Sequence, residues 1–78
     1  MRGFVKWYDG AKGYGFIRPL GNERGRDIFF HYKDFIQIPN INLDGRVVEF
    51  EIRAEAKGPH ATSVRLVEEV GESRASKI

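Results

Sequence analysis

The stretch Lys12-Gly13-Tyr14-Gly15-Phe16-Ile17-Arg18 decides how this 78-residue chain is read. Side chains alternate faces along an extended strand. Lys12, Tyr14, Phe16 and Arg18 therefore share one face, and Gly13, Gly15 and Ile17 the other. Burying Lys12 and Arg18 unpaired would carry a large desolvation cost, so their face belongs in solvent. Two aromatic rings then stand outside between two cations while glycines line the interior, which inverts the usual placement. A register shifted by one residue would restore the rings to the core only by burying Lys12 and exposing Ile17.

A second segment carries the same conflict. In Asp27-Ile28-Phe29-Phe30-His31-Tyr32, Ile28, Phe30 and Tyr32 share one face and Asp27, Phe29 and His31 the other. If Ile28 and Phe30 fill the core, Phe29 and His31 point outward. Strand adjacency would then join both rows into a platform of Tyr14, Phe16, Phe29 and His31 bordered by Lys12 and Arg18. The first strand adds Lys6-Trp7-Tyr8, but strict alternation puts Val5 and Trp7 on one face. Either Trp7 is interior, or a bulge or sharp bend turns it outward.

Working outward, strands are expected over residues 3–9, 13–18, 26–32, 46–54 and 60–68, each with β-branched or aromatic residues in alternation. Turn signals separate them: Asp9-Gly10, Pro19-Leu20-Gly21-Asn22, Asp44-Gly45 and Lys57-Gly58-Pro59. Helical periodicity is nowhere sustained beyond a single turn near Lys33–Ile36. Residues 37–45 read as a long loop whose Ile38, Ile41 and Leu43 need anchoring. The expected fold is all-β, a five-stranded antiparallel barrel, because closure removes exposed edges. Strand count does not choose between OB-type and SH3-like barrels. One domain is expected over residues 1–68, with residues 69–78 as a flexible C-terminal tail.

Composition narrows the function classes. Thirteen Lys and Arg against eleven Asp and Glu give a formal charge of +2, too little to mark the whole chain as basic. The distribution is more telling. Nine of the ten aromatics lie in the first 35 residues, and residues 1–33 carry seven basic and three acidic side chains, +4, whereas residues 34–78 sum to −2. One half is both basic and aromatic-rich. There are no cysteines, which excludes a disulfide scaffold and thiolate chemistry. The longest apolar run, Ile28 to Phe30, is far short of the ~20 residues of a membrane helix. The opening Met1-Arg2-Gly3-Phe4-Val5-Lys6 lacks the apolar stretch of a secretory signal. A cytoplasmic protein without membrane attachment is expected.

Exposed flat rings beside cations suit single-stranded nucleic acid. Unpaired bases offer π-faces, and stacking on an aromatic contributes ~1–3 kcal/mol per base. Lysines and arginines supply phosphate contacts that weaken with salt. Glycines between the rings allow close approach and ease the coiling of a small barrel. His31 read alone is an ordinary surface histidine; its place in the row is what adds it to the platform. The competing class is a small barrel that binds a protein or peptide through the same rings. Ile36, Ile38, Ile41 and Leu43 offer a secondary partner or dimer surface on a chain otherwise expected to be monomeric. No catalytic residue is expected. His31 and His60 are the only histidines and lack metal-ligand spacing. Asp9, Asp27 and Asp34 lie among turns, where Asp caps or closes the chain. Glu49 and Glu51 read as a solvated strand face.

The run Gly3-Phe4-Val5-Lys6-Trp7-Tyr8-Asp9-Gly10-Ala11-Lys12-Gly13-Tyr14-Gly15-Phe16-Ile17 resembles the first two strands of the cold-shock domain family, including its Lys-Gly-aromatic-Gly-Phe-Ile ribonucleoprotein-type motif. Asp27 to Tyr32 resembles its second motif. Asp44 to Ile52 is similar to its fourth strand, and Lys57-Gly58-Pro59-His60-Ala61 with Val64 to its last loop and strand. The resemblance covers residues 3–67. It implies an OB-type barrel that binds single-stranded DNA or RNA as a chaperone without ATP or any cofactor or metal. By position it implies nucleic-acid contacts at Lys6, Trp7, Tyr8, Lys12, Tyr14, Phe16, Phe29, His31 and Tyr32, with Lys57 and His60 in the last loop. It also implies that Trp7 lies on the surface. The chain departs from the family pattern in a longer connection, Arg18 to Arg26, with three arginines. It also departs in having no aromatic mid-way along Lys33–Leu43, and in residues 69–78.

Overall fold

A computed structural model describes residues 1–21 and 25–67 of the chain. Residues 22–24 of the arginine-bearing connection and the expected tail at 69–78 lie outside the described residues. Five strands follow the turn signals closely: β1 (Arg2–Asp9), β2 (Tyr14–Pro19), β3 (Ile28–His31), β4 (Val47–Glu55) and β5 (Gly58–Leu66). A single 3₁₀ turn, Tyr32–Asp34, follows β3. The strands close into a barrel in the order β1-β2-β3-β5-β4. Four of the five pairings are antiparallel. The closing pair, β3 with β5, runs parallel through Phe29 and His60. It is the one departure from the antiparallel expectation, and the long connection from β3 to β4 is what allows it.

The core follows strand parity. Val5, Ile17, Ile28, Phe30, Val48, Phe50, Ala61 and Val64 point inward and are buried. Each large side chain among them contributes roughly 1.5–3 kcal/mol by leaving water. On β2, Gly15, Ile17 and Pro19 alternate inward with Tyr14, Phe16 and Arg18 half-buried outside. Gly15 sits where a Cβ would collide with the Trp7 carbonyl oxygen and lie 2.9 Å from the Tyr8 Cα, so β1 and β2 can close to this distance only over a glycine.

Two irregularities reset the alternation. On β1, Val5 pairs with Ile17 but Trp7 pairs with Phe16, so Lys6 is an extra residue and the strand is bulged there. The bulge resolves the parity conflict: Val5 is buried and Trp7, two residues on, is exposed. On β5 the register with β4 shifts between Glu49↔Arg65 and Glu51↔Thr62. The extra residue falls near Ser63, which has φ 51°. Consequently Ala61 and Val64, three apart, both face the core.

The loop before β4 behaves differently from its reading in the sequence. Of its apolar residues only Leu43 is anchored, buried in the core beside Phe35, whereas Ile38 and Ile41 are exposed. Leu43 is held because the following turn is stitched to β1: Val5 N–H donates to Arg46 O and Gly45 N–H to Val5 O. Glu49, read as simply solvated, joins three strands by accepting from Arg2 and Arg65.

Candidate nucleic-acid interface

Strand pairing builds the platform directly. Tyr14 lies opposite His31 and Phe16 opposite Phe29 across β2 and β3, and Trp7 lies opposite Phe16 across β1 and β2. The rings meet in a continuous row: Trp7 to Phe16 at 5.4 Å, Trp7 to Tyr14 at 5.8 Å, Tyr14 to Phe29 at 5.6 Å and Phe16 to Phe29 at 5.8 Å between centroids. His60 extends it, meeting Phe29 edge-on at 5.3 Å. Tilted and edge contacts of this kind hold each ring by its neighbours while leaving faces open to solvent. Trp7 is 40% exposed, and the other members of the row are half-buried.

Tyr8 and Tyr32 take different positions. Tyr8 stacks on Phe30 at 5.7 Å and 13° between ring planes, and so packs against the core rather than joining the row. Burial, aided by the charges of Tyr32 and Asp9, pushes its phenol pKa up. Tyr32 departs from the inward face it would share with Ile28 and Phe30. Alternation ends where the 3₁₀ turn begins, and its ring instead lies beside His31 at 4.5 Å, 44% exposed. It covers Gly13, whose φ is +78° and where a Cβ would lie 2.8 Å from the Tyr32 ring.

The 3₁₀ turn is capped reciprocally. Lys33 N–H donates to His31 Nδ1, and His31 N–H donates to Asp34 Oδ2. An accepting Nδ1 puts the His31 ring proton on Nε2, the remaining donor of that ring. At the same end of β2, beside the 3₁₀ turn, Asp9 accepts from the backbone N–H groups of Ala11 and Lys12, and Gly13 N–H donates to Asp9 O. This turn sets Lys12 at the entry to the row. Asp9 and Asp34 thus close turns, as their sequence positions indicate.

Asp27 does not. Its carboxylate takes Arg18 at 2.6 Å and Lys6 at 3.3 Å. The Arg18 hydrogen bond, against some burial and with help from Lys6, holds the Asp27 carboxyl below its ordinary pKa. Arg18, expected to border the rings, and Lys6, a contact that the resemblance implies, are therefore partnered. Lys12 and Lys57 make no ion pair among the described residues. His60 is held between carboxylates: Nε2 is 2.7 Å from Asp34 Oδ2 and Nδ1 is 3.2 Å from Glu55 Oε1. Burial lowers its pKa, but the hydrogen bonds and charges of Asp34 and Glu55 outweigh that and raise it overall. What sequence reasoning missed is the pairing of Asp27 with Lys6 and Arg18 and of Asp34 and Glu55 with His60. Each pairing depends on partners brought from other strands, for which spacing carries no signal. Among the described residues, no group of His, Asp or Glu is placed to hold a metal ion.

The family profile of the 'Cold-shock' DNA-binding domain matches residues 1–67. A cold shock-like protein of Thermotoga maritima is 46% identical over 70 residues, covering 87% of this chain and 100% of its own. A retron Se72 cold shock-like protein of Salmonella heidelberg is 44% identical, with 83% and 96% covered. A cold shock protein of Arthrobacter globiformis is 43% identical, with 85% and 97% covered.

Proposed function

The chain belongs to the cold-shock DNA-binding domain family, whose members bind nucleic acid, and from that premise we propose that it binds single-stranded RNA or DNA and remodels it without ATP. The observation that carries the reading is the unbroken, outward-facing row of Trp7, Tyr14, Phe16 and Phe29. Bases released from a duplex can stack on such a row; paired bases, already stacked, cannot. Lys12 and Lys57 take phosphates at its two ends, and Lys6 does so in competition with Asp27. His31 offers Nε2–H to a base or sugar, and Tyr32 widens the surface beside Gly13, while Tyr8 supports it from below through Phe30. Binding the open strand and not the hairpin shifts the equilibrium toward the open form by mass action, which is chaperone activity with no other energy source.

The test is a titration with single-stranded and duplex oligonucleotides of matched sequence, in both ribose and deoxyribose forms. The single strand should bind at least ~10-fold tighter, a difference of about 1.4 kcal/mol or one stacked base. Equal affinity for the duplex would overturn the reading.

A further inference from the structure

Beyond Phe29 the row opens into a cleft of about 500 Å³ lined by Phe16, Phe29, Glu55, Lys57, Gly58, Pro59 and His60. That volume is within the ~300–1,000 Å³ of small-ligand sites. Its walls are aromatic and apolar with one acid, Glu55, and two basic side chains, Lys57 and His60. The acid is unexpected, since a carboxylate beside a surface for phosphates repels them. The contacts of Glu55 do not exhaust it. Oε1 faces His60 Nδ1 at 3.2 Å and Oε2 lies 3.7 Å from Arg53 Nη1. A carboxylate has about four acceptor positions, and this side chain is 39% exposed. His60 in turn is fixed on its far side by Asp34 and on its ring edge by Phe29. Glu55 is therefore a preorganised acceptor next to a stacking ring.

We propose that this cleft is a base-selective subsite, in which Glu55 accepts from the amino group of cytosine or guanine and disfavours thymine and uracil. The inference rests on the single-strand reading above and deepens it. Cytosine presents N4–H₂, and guanine presents N1–H beside N2–H₂, to a carboxylate on the pairing edge. Thymine and uracil offer one N–H flanked by two carbonyl oxygens, which the carboxylate repels. Lys57 supplies a donor of the opposite kind for the O2 of cytosine or the O6 of guanine. The rings accept any base by its face, so selection has to come from a polar group of this sort.

The test uses a labelled oligothymidylate of about seven nucleotides, within the ~4–16 covered by one barrel, and the same oligomer with one central cytidine. Anisotropy titration of the wild type should show the cytidine oligomer binding about 5- to 10-fold tighter, the discrimination of one good polar base contact. In Glu55→Gln the amide still accepts from His60 but also presents N–H₂ to a carbonyl, so the preference should collapse to about unity. Loss of the charge also removes a repulsion of the phosphates that is common to both oligomers, so the ratio and not the affinity is the readout. Equal affinities in the wild type, or a preference that Glu55→Gln leaves intact, would overturn the subsite and leave the platform standing. Failure of both oligomers to bind would overturn the single-strand reading and the subsite together.

Discussion

Trp7 stands opposite Phe16, with ring centroids 5.4 Å apart, because Lys6 is an extra residue in β1 between Val5 and Trp7. Without that bulge the indole would follow Val5 into the barrel. With it, the only tryptophan is at the edge of the proposed interface. An oligonucleotide that stacks there should quench Trp7 fluorescence. Unchanged emission at saturating ligand would remove Trp7 from the site.

Rings and cations contribute differently. Phe16→Ala or Phe29→Ala removes a stacking partner and should weaken single-strand binding by ~1–3 kcal/mol. Lys57→Ala removes one phosphate contact, screened at moderate salt, and should cost less. Affinities of the three variants at one ionic strength decide it. A larger loss from the lysine variant would mean that charge, not stacking, holds most of the bound strand.

Gly15→Ala should destabilise the fold by about 3 kcal/mol, the upper range for overpacking. The added Cβ meets backbone, the Trp7 carbonyl and the Tyr8 Cα, which cannot swing aside as a side chain would. A urea midpoint within error of the wild type would mean that β1 and β2 are not so close.

His60 makes stability depend on pH. Its folded pKa is raised, burial notwithstanding, by Asp34 and Glu55. Its contribution is therefore complete below the unfolded value of about 6.5 and is lost as pH rises through the higher folded value. Urea unfolding of wild type and His60→Gln should differ most near pH ~6 and converge in the alkaline range. A gap that stays constant with pH would show that the carboxylates do not hold a cation.

Asp27 restrains Lys6. Asp27→Asn removes that ion pair, so single strands should bind more tightly at low salt. The slope of log affinity against log salt should steepen by about 0.7, one more phosphate contact. The folded Asp27 pKa is depressed, chiefly by the Arg18 hydrogen bond and despite burial. Its contribution to stability is thus present above the ordinary Asp value and is lost as pH falls through the folded one. Stability of the variant should accordingly be less sensitive to acid. An unaltered salt slope would show that Lys6 reaches phosphate whether or not Asp27 is charged.

Much of this was legible from residue order. Strand parity alone separates Tyr14 and Phe16 from Gly15 and Ile17, and Phe29 and His31 from Ile28 and Phe30, because alternation is a property of each chain segment. The cost of burying Lys12 or Arg18 chooses which face is wet. Turn chemistry at Asp9, Gly45 and Gly58 locates the strand ends to within a residue or two. These are local or near-local facts, and no partner strand is needed to read them.

Other features depend on what the barrel brings together. Lys6 could be recognised as surplus only once Val5 and Trp7 had partners on β2. Ile38 and Leu43 look alike in the loop, but the hydrogen bonds of Gly45 and Arg46 to Val5 draw only Leu43 into the core. Asp27 bridging Lys6 and Arg18, and His60 held by Asp34 and Glu55, join residues from separate strands and turns. Alternation and turn preference act over a few residues and so are written into the chain. Register, ion pairing and the pKa values that follow arise from closure across the barrel, and exist only after distant segments have met.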